Sequence, residues 1–250
     1  MGKIKVVVLG SNGWFDTLLG NTISLLIATD KFNIVLDAGL GFANLDKYCD
    51  QNLPTYLFLS HSHLDHLFGL HVLNKFNFKN GLTIFGQRGL KKDLSQILAK
   101  PFTIPADELP FPVKILEVNE TDDFPFKYST APLRHAAPTI GIRLEIEDKI
   151  ISYIADTGLC PNCDVLAKDA DLLFTENAHP IGQPEMGSWP HLSPENGANI
   201  ALKNGAKRLV LVHFNPVVYP TKESREEAER VARTIFPNSQ AGFDSLEIEL

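Results

Sequence analysis

Four side chains that commonly bind metals lie within six residues of the sequence: His61, His63, Asp65 and His66, in the run His61-Ser62-His63-Leu64-Asp65-His66. Neutral imidazole and carboxylate are the donors that Zn, Mn and Fe accept. The spacing sorts them into two pairs. In an extended segment residues two apart point the same way, so His61 and His63 face one position. Asp65 and His66, entering a helix, face a second. One short loop of this kind can serve two adjacent metal ions. A lone histidine at a strand end reads as a solvated loop residue, whereas four donors in this pattern read as a metal loop.

The flanking sequence supplies the elements that must hold this loop. Residues 55–59 are a compact apolar run that predicts a buried strand ending at Ser60. Residues 67–76 predict a helix after it. Upstream, 5–9, 22–29 and 33–36 predict strands separated by Gly, Asn and Asp, with the loop Gly10-Ser11-Asn12-Gly13-Trp14 between the first two and a short helix over 42–50. Downstream, 83–85 predicts a strand and 88–98 a helix. A second strand-rich stretch covers 113–118, 126–131, 140–146, 150–155 and 172–175. Ser193 caps a predicted helix with Pro194 at its first position, running to Lys203. Residues 208–212 predict a strand, 222–235 an amphipathic helix and 245–248 a last strand. Strands and helices followed by strands and helices again predict two similar halves, sheet on sheet with helices outside, in a single domain over 1–250.

The bulk properties fit a soluble globular protein. The chain has 250 residues, 44% of them hydrophobic and 21% charged, which is ordinary for a globular protein. A net charge of −7 argues against a general binder of polymeric nucleic acid, which carries a basic balance or stripe. A small phosphate ester remains open, because bound metals reverse the local field. The first apolar run is too short for a secretory signal, and no stretch reaches the length that spans a bilayer. Three cysteines (Cys49, Cys160, Cys163) are too few for a disulfide framework. A cytoplasmic location is therefore expected, with no membrane partner; a homodimer is left open.

The segment H-S-H-L-D-H resembles the signature of the metallo-β-lactamase superfamily. Val35-Leu36-Asp37-Ala38-Gly39 resembles the family's Asp-containing turn after its third strand. Pro132-Leu133-Arg134-His135 resembles its third ligand motif, Ala155-Asp156-Thr157-Gly158 its strand-end aspartate, and Leu211-Val212-His213-Phe214 its last histidine motif. The resemblance implies an α/β fold, a four-layer αββα sandwich of two pseudo-symmetric halves. It also implies two divalent metal ions, with Zn first and Mn or Fe as alternatives. His61, His63 and His135 would bind one ion and Asp65, His66 and His213 the other, with Asp156 bridging both. The true β-lactamases typically carry Cys at that bridging position, so lactam hydrolysis is disfavoured here.

Two further motifs are similar to the ribonuclease Z-like branch: Phe174-Thr175-Glu176-Asn177-Ala178, and His191-Leu192-Ser193. A leaving alkoxide needs a proton, and a histidine held by a carboxylate can supply it. The resemblance thus implies His191 as acid, Glu176 as its holder, and Asp65 as orienting the nucleophile besides binding metal. One departure stands out. Ribonuclease Z carries a long arm that grips tRNA, in many members between the third histidine motif and the bridging aspartate. Here residues 136–155 predict two strands and a turn, with no Gly/Pro-rich arm.

The expected activity is metal-dependent hydrolysis of a small phosphodiester, such as a cyclic nucleotide or cyclic phosphate, by a metal-bridging hydroxide of lowered pKa. Hydrolysis of a lactone or thioester is one alternative, and tRNA 3′-end processing of the ribonuclease Z type a second. Iron-dependent oxidoreductase chemistry is a third; its flavoprotein form would need a further domain for which 250 residues leave no room. His71 and His179 match no ligand motif and read as surface or packed residues. Cys160-Pro161-Asn162-Cys163, a single C-x-x-C, reads as structural, and 222–233 as a solvated helix face with pairs such as Glu226 and Arg230. Trp14, Phe15 and Trp189 read mainly as core, with a place at the site mouth as the alternative.

Overall fold

The computed structural model describes residues 2–120, 123–184 and 187–250. In chain order the strands are β1 (Lys5–Gly10), β2 (Ser24–Ala28), β3 (Asn33–Leu36), β4 (Thr55–Leu59), β5 (Leu82–Gly86), β6 (Val113–Glu117), β7 (Lys127–Leu133), β8 (Thr139–Ile146), β9 (Lys149–Ile154), β10 (Leu172–Asn177), β11 (Leu209–Phe214), β12 (Ser239–Ala241) and β13 (Glu247–Glu249). The α-helices are α1 (Leu90–Ile97), α2 (Pro161–Ala167), α3 (Pro194–Lys203) and α4 (Lys222–Ile235).

The chain divides into two compact units. The first comprises Met1–Gly10, Asn21–Asp122 and Asp244–Leu250. Its seven strands run in the order β13-β1-β2-β3-β4-β5-β6. Pairing is antiparallel from β13 through β3, then parallel from β3 through β6. The second unit comprises Ser11–Gly20 and Asp123–Phe243. Its six strands run in the order β12-β11-β10-β9-β8-β7, antiparallel from β7 through β9 and parallel from β9 through β12. The same sequence of pairings recurs in both units. The fold is the α/β arrangement of two strand-and-helix halves that the sequence implied.

The central parallel strands read as largely apolar runs because both their faces are covered. Every residue of β3, β10 and β11 is buried. In the first unit Val35, Leu57, Leu59 and Ile84 pack with Phe42, Leu70, Leu73 and Phe76. In the second, Ile154, Leu173, Leu211 and Phe214 pack with Leu166, Ala198, Ala201, Ala228 and Ala232 of the helices. Truncating one such leucine to alanine costs about 2–5 kcal/mol. This packing fixes the carboxyl ends of the parallel strands, where ligands bind in open α/β sheets.

Several boundaries differ from expectation. Residues 68–75 form a 3₁₀ rather than an α-helix, as do Leu40–Lys47. The amide of Gly69 is diverted to Ala38 O at 2.8 Å, and Leu70 N bonds Leu67 O, so the segment winds tightly where it meets the 38–39 turn. A Cβ on Gly69 would lie 2.2 Å from Gly39 O, so only glycine permits this approach. Helix α2 and strand β12 were not expected. A signal for α2 was present in Pro161, which occupies its first turn. Helix α3 begins as the sequence indicated, with Ser193 capping it in a reciprocal box with Asn196. The link between β8 and β9 is residues 147–148 alone, so no arm lies there.

Helix α4 departs from the reading of a wholly solvated polar face. Arg225 is buried among Ala228 and Ala232 on its inner face. The charged pairs also differ: Glu226 faces Lys222 at 3.5 Å, and Arg230 pairs with Glu227 rather than Glu226. Three-residue spacing satisfies Arg230 as well as four would. Among the described residues, no helix is long and apolar enough to cross a membrane.

Candidate functional site

In the first unit the four donors of the metal loop follow β4, and their holder follows the neighbouring strand β3. Leu36 and Phe58 are register partners, so Asp37 and Ser60 emerge close together. Asp37 has φ 57°, left-handed backbone that a non-glycine residue adopts at a cost of about 1–2 kcal/mol. That turn directs its carboxylate into the loop. Oδ1 accepts from the Ser60 amide at 2.7 Å, and Oδ2 accepts from Ser60 Oγ at 2.8 Å and from His66 Nδ1 at 2.8 Å.

These bonds settle the tautomers. A carboxylate only accepts, so His66 carries its proton on Nδ1 and presents a lone pair at Nε2. Ser60 Oγ gives its own proton to Asp37, so at 3.0 Å from His61 Nδ1 it accepts, and His61 also presents Nε2. His61 Nε2 stands 2.9 Å from His63 Nδ1, and His66 Nε2 stands 3.6 Å from Asp65 Oδ2. Ligands about 2.0–2.1 Å from a tetrahedral ion lie roughly 3.3 Å from one another. The spacing and the donor types therefore fit divalent ions held by the pairs His61/His63 and Asp65/His66. The carboxylate–histidine contact of Asp37 is the outer bond that metal-binding imidazoles usually make. Ser62 fixes the other side of the loop: its hydroxyl donates to Asp93 Oδ2 of α1 at 2.6 Å and accepts from Gln87 Nε2 at 3.1 Å.

In the second unit the donors come from separate strand ends. His135 lies just beyond β7, Asp156 just beyond β9, and His213 within the last turn of β11. Arg134 N donates to Thr157 Oγ1 at 3.1 Å, and Gly158 N donates to Arg134 O at 2.9 Å. These bonds tie the His135 and Asp156 loops together. Asp156 Oδ1 is 3.2 Å from His213 Nε2, and Oδ2 is 3.7 Å from His135 Nε2. All three side chains are nearly inaccessible to solvent, and Asp156 offers one oxygen to each imidazole at about the separation of two ligands on an ion. His213 also sits in left-handed backbone, at φ 54°. Its ring lies against Gly13, where a Cβ would meet the imidazole at 2.3 Å. Gly13 is held by its amide on Phe214 O at 2.9 Å. Arg225 supports that loop from below, reaching Ser11 Oγ at 3.3 Å and Asn12 Oδ1 at 2.5 Å, with its guanidinium 5.0 Å over the Phe214 ring.

His191 and Glu176 meet. His191 Nδ1 donates to Glu176 Oε1 at 2.9 Å. Glu176, on β10, is fully buried and accepts three backbone amides besides: Thr157 N at 3.1 Å and Leu192 N at 2.9 Å on Oε1, and Ala178 N at 2.9 Å on Oε2. Its orientation is thus over-determined, and it leaves His191 Nε2 facing the cluster. His191 joins Asp156 and His213 in a group whose donor atoms all lie within 4.8 Å of one another. Its ring stacks near His213 at 6.1 Å, and the half-exposed Trp189 meets the His135 ring edge-on at 6.1 Å.

The other histidines stand apart. His71 is exposed and bonds Phe68 O. His179 is packed, with Nε2 near Gln183 O and Pro184 O at 3.2 and 3.0 Å. Trp14, Phe15 and Trp189 are solvent-facing, not core; each sits on a loop that has no sheet face to cover it. Sequence reasoning placed Asp37 only in a turn and missed Ser60, Gly13, Thr157 and Arg225. The sole advance signal was the Asp-containing turn itself.

A model of the beta-lactamase superfamily domain matches residues 32–214. The chain belongs to this superfamily. It is a hydrolase of the metallo-β-lactamase fold, with His/Asp groups suited to divalent metal ions. Ribonuclease Z of Geobacillus kaustophilus (strain HTA426) is 24% identical, the match covering 76% of this chain and 78% of that one. The metallo-beta-lactamase fold protein YhfI from Bacillus subtilis superposes with a TM-score of 0.82 at 20% identity over the full length of both chains. A diphosphatase from the PhnP family superposes with a TM-score of 0.73 at 18% identity, covering 99% of this chain and 97% of the other.

Proposed function

We propose that this superfamily member is a phosphodiesterase acting on a small phosphodiester, a cyclic nucleotide or cyclic phosphate. Two divalent ions, Zn first, would be held by His61, His63, Asp65 and His66 together with His135, Asp156 and His213. When bound, the ions supply an acidified water and neutralise phosphoryl charge. The observation that carries the reading is the buried Glu176–His191 pair. Cleaving a P–O bond expels an alkoxide, which leaves only if it gains a proton. Glu176 accepts the Nδ1–H of His191, which turns Nε2 toward the cluster, and the imidazolium form carries a second proton there for delivery. The four bonds on Glu176 keep that aim before substrate arrives, so little reorganisation is left for the reaction itself. Asp65 would hold metal and help orient the attacking water. Asp37 and Ser60 hold His61 and His66 in the ligating tautomer.

The matched relatives named ribonuclease Z favour a second reading, endonucleolytic processing of tRNA 3′ ends. The tight β8–β9 hairpin and the net charge of −7 favour the small substrate instead. The test uses protein stripped with a chelator and reloaded separately with Zn, Mn or Fe. It is assayed on bis(p-nitrophenyl) phosphate, cyclic nucleotides, a precursor tRNA and a lactone. Metal-restored hydrolysis of cyclic phosphodiesters, with the tRNA untouched, is expected. Preferential tRNA cleavage would install the second reading, and turnover of the lactone alone would overturn both.

A further inference from the structure

The Cys160-Pro161-Asn162-Cys163 motif takes no part in the chemistry above, yet its two thiols are placed as a working pair. The sulfurs lie 3.6 Å apart. Cys160 is partly exposed and Cys163 is buried. A cleft of about 440 Å³ opens beside them, bordered by Leu159, Pro161, Asn196, Asn199 and Lys203. That volume is in the range of small-molecule sites. We propose that Cys160 and Cys163 form a thiol–disulfide exchange site for small organic disulfides, with Cys160 the attacking thiol and Cys163 the resolving one.

The two sulfurs differ in the way this exchange requires. The Cys163 S–H hydrogen bond stabilises the Cys160 thiolate and brings its pKa down to about 5; burial opposes this, and Thr157 Oγ1 at 3.9 Å adds to it. The same bond, with burial, pushes Cys163 upward. Cys49 offers an internal contrast, since burial and Asp46 push it up to about 12. Only Cys160 is therefore a thiolate at neutral pH and open to solvent, the two properties that make a cysteine react.

The Cys160 thiolate attacks one sulfur of an external disulfide, whose S–S bond breaks to release a first thiolate, which takes a proton from water. Cys163 then gives up its proton and attacks the Cys160 sulfur, expelling the second external thiol. One external disulfide is reduced to two thiols, and the protein gains one disulfide. Closing 3.6 Å to an S–S bond needs about 1.5 Å of approach, within reach of side-chain rotation.

The test incubates the reduced full-length protein with oxidised glutathione, followed by intact-mass and free-thiol measurement. Two of the three thiols should be lost with a mass decrease of two hydrogens, reversed by dithiothreitol. Cys163→Ser should accumulate a glutathione adduct on Cys160, and Cys160→Ser should accumulate none. Three thiols persisting in the wild type, or adducts forming on Cys49 instead, would overturn the proposal. Alkylation of the unsubstituted protein gives an independent check: Cys160 should label at least about tenfold faster than Cys49, and equal rates would overturn it.

Discussion

The two units assemble their donors in opposite ways. In the first, His61, His63, Asp65 and His66 come from one loop and depend on one carboxylate, Asp37, reached from the adjacent strand. In the second, His135, Asp156, His191 and His213 come from four separate loops or strand ends. They depend on loop-to-loop ties through Thr157 and on the buried Glu176. A contiguous loop concentrates its ligands and its vulnerability in one place. A dispersed set divides positioning among several elements, each of which sets one side chain. The proposed division of labour follows this difference, with the contiguous loop devoted to metal and the dispersed set supplying metal ligands and an acid.

Four substitutions would break or sharpen that contrast. The largest effect is expected from Asp156→Asn, which removes the charge facing both His135 and His213; phosphodiesterase activity should fall to background, with metal content reduced by elemental analysis. Retention of full metal content and activity would mean the dispersed set is not a metal site. Glu176→Gln comes next. An amide accepts on one end only, so either Ala178 N or the three donors on Oε1 lose their partner, and the negative charge beside His191 is lost. A fall in kcat of about 10³-fold, with metal content intact, is expected from steady-state kinetics. A change confined to KM would remove His191 from the chemistry.

Asp37→Ala should act on the other unit alone. It strands Ser60 N and frees the His66 ring, so metal affinity should drop about 10–100-fold in competition with a chelator. Stability should fall by about 3 kcal/mol in urea unfolding. If both fall no further than for a surface alanine, the loop does not depend on that carboxylate. The smallest effect belongs to Thr157→Val, which loses the bonds to Arg134 N and Gly158 O. A loss of about 1 kcal/mol is expected with activity within a few-fold; a larger activity loss would show that this tie carries more of the cluster than its partners imply.

The same contrast explains what could be read from sequence. The contiguous loop announces itself because four donors within six residues have no ordinary structural use. Strands β3, β4, β10 and β11 announce themselves because buried parallel strands are largely apolar runs. The dispersed donors carry no local signal. His135, Asp156 and His213 came into view through the order of family motifs, not through their own surroundings. The supporting contacts were out of reach for a plainer reason: Asp37 meets Ser60 across two strands, and Gly13 meets His213 across most of the chain. Burial of Arg225 was hidden by its neighbours, since an arginine amid Glu and Lys reads as solvated until the loop it supports is in place. The 3₁₀ winding of 68–75 likewise follows from a tertiary bond to Ala38 that no periodicity encodes.

The most direct test of the account is a pair of measurements on His191→Ala: bound metal per chain, and kcat on a phosphodiester at saturating metal. As much bound metal as in the unsubstituted protein is expected, with kcat lowered by about 10²–10⁴-fold, the usual contribution of a positioned acid. Loss of bound metal together with activity would contradict it, because His191 would then be a ligand and the protonation step would have no donor.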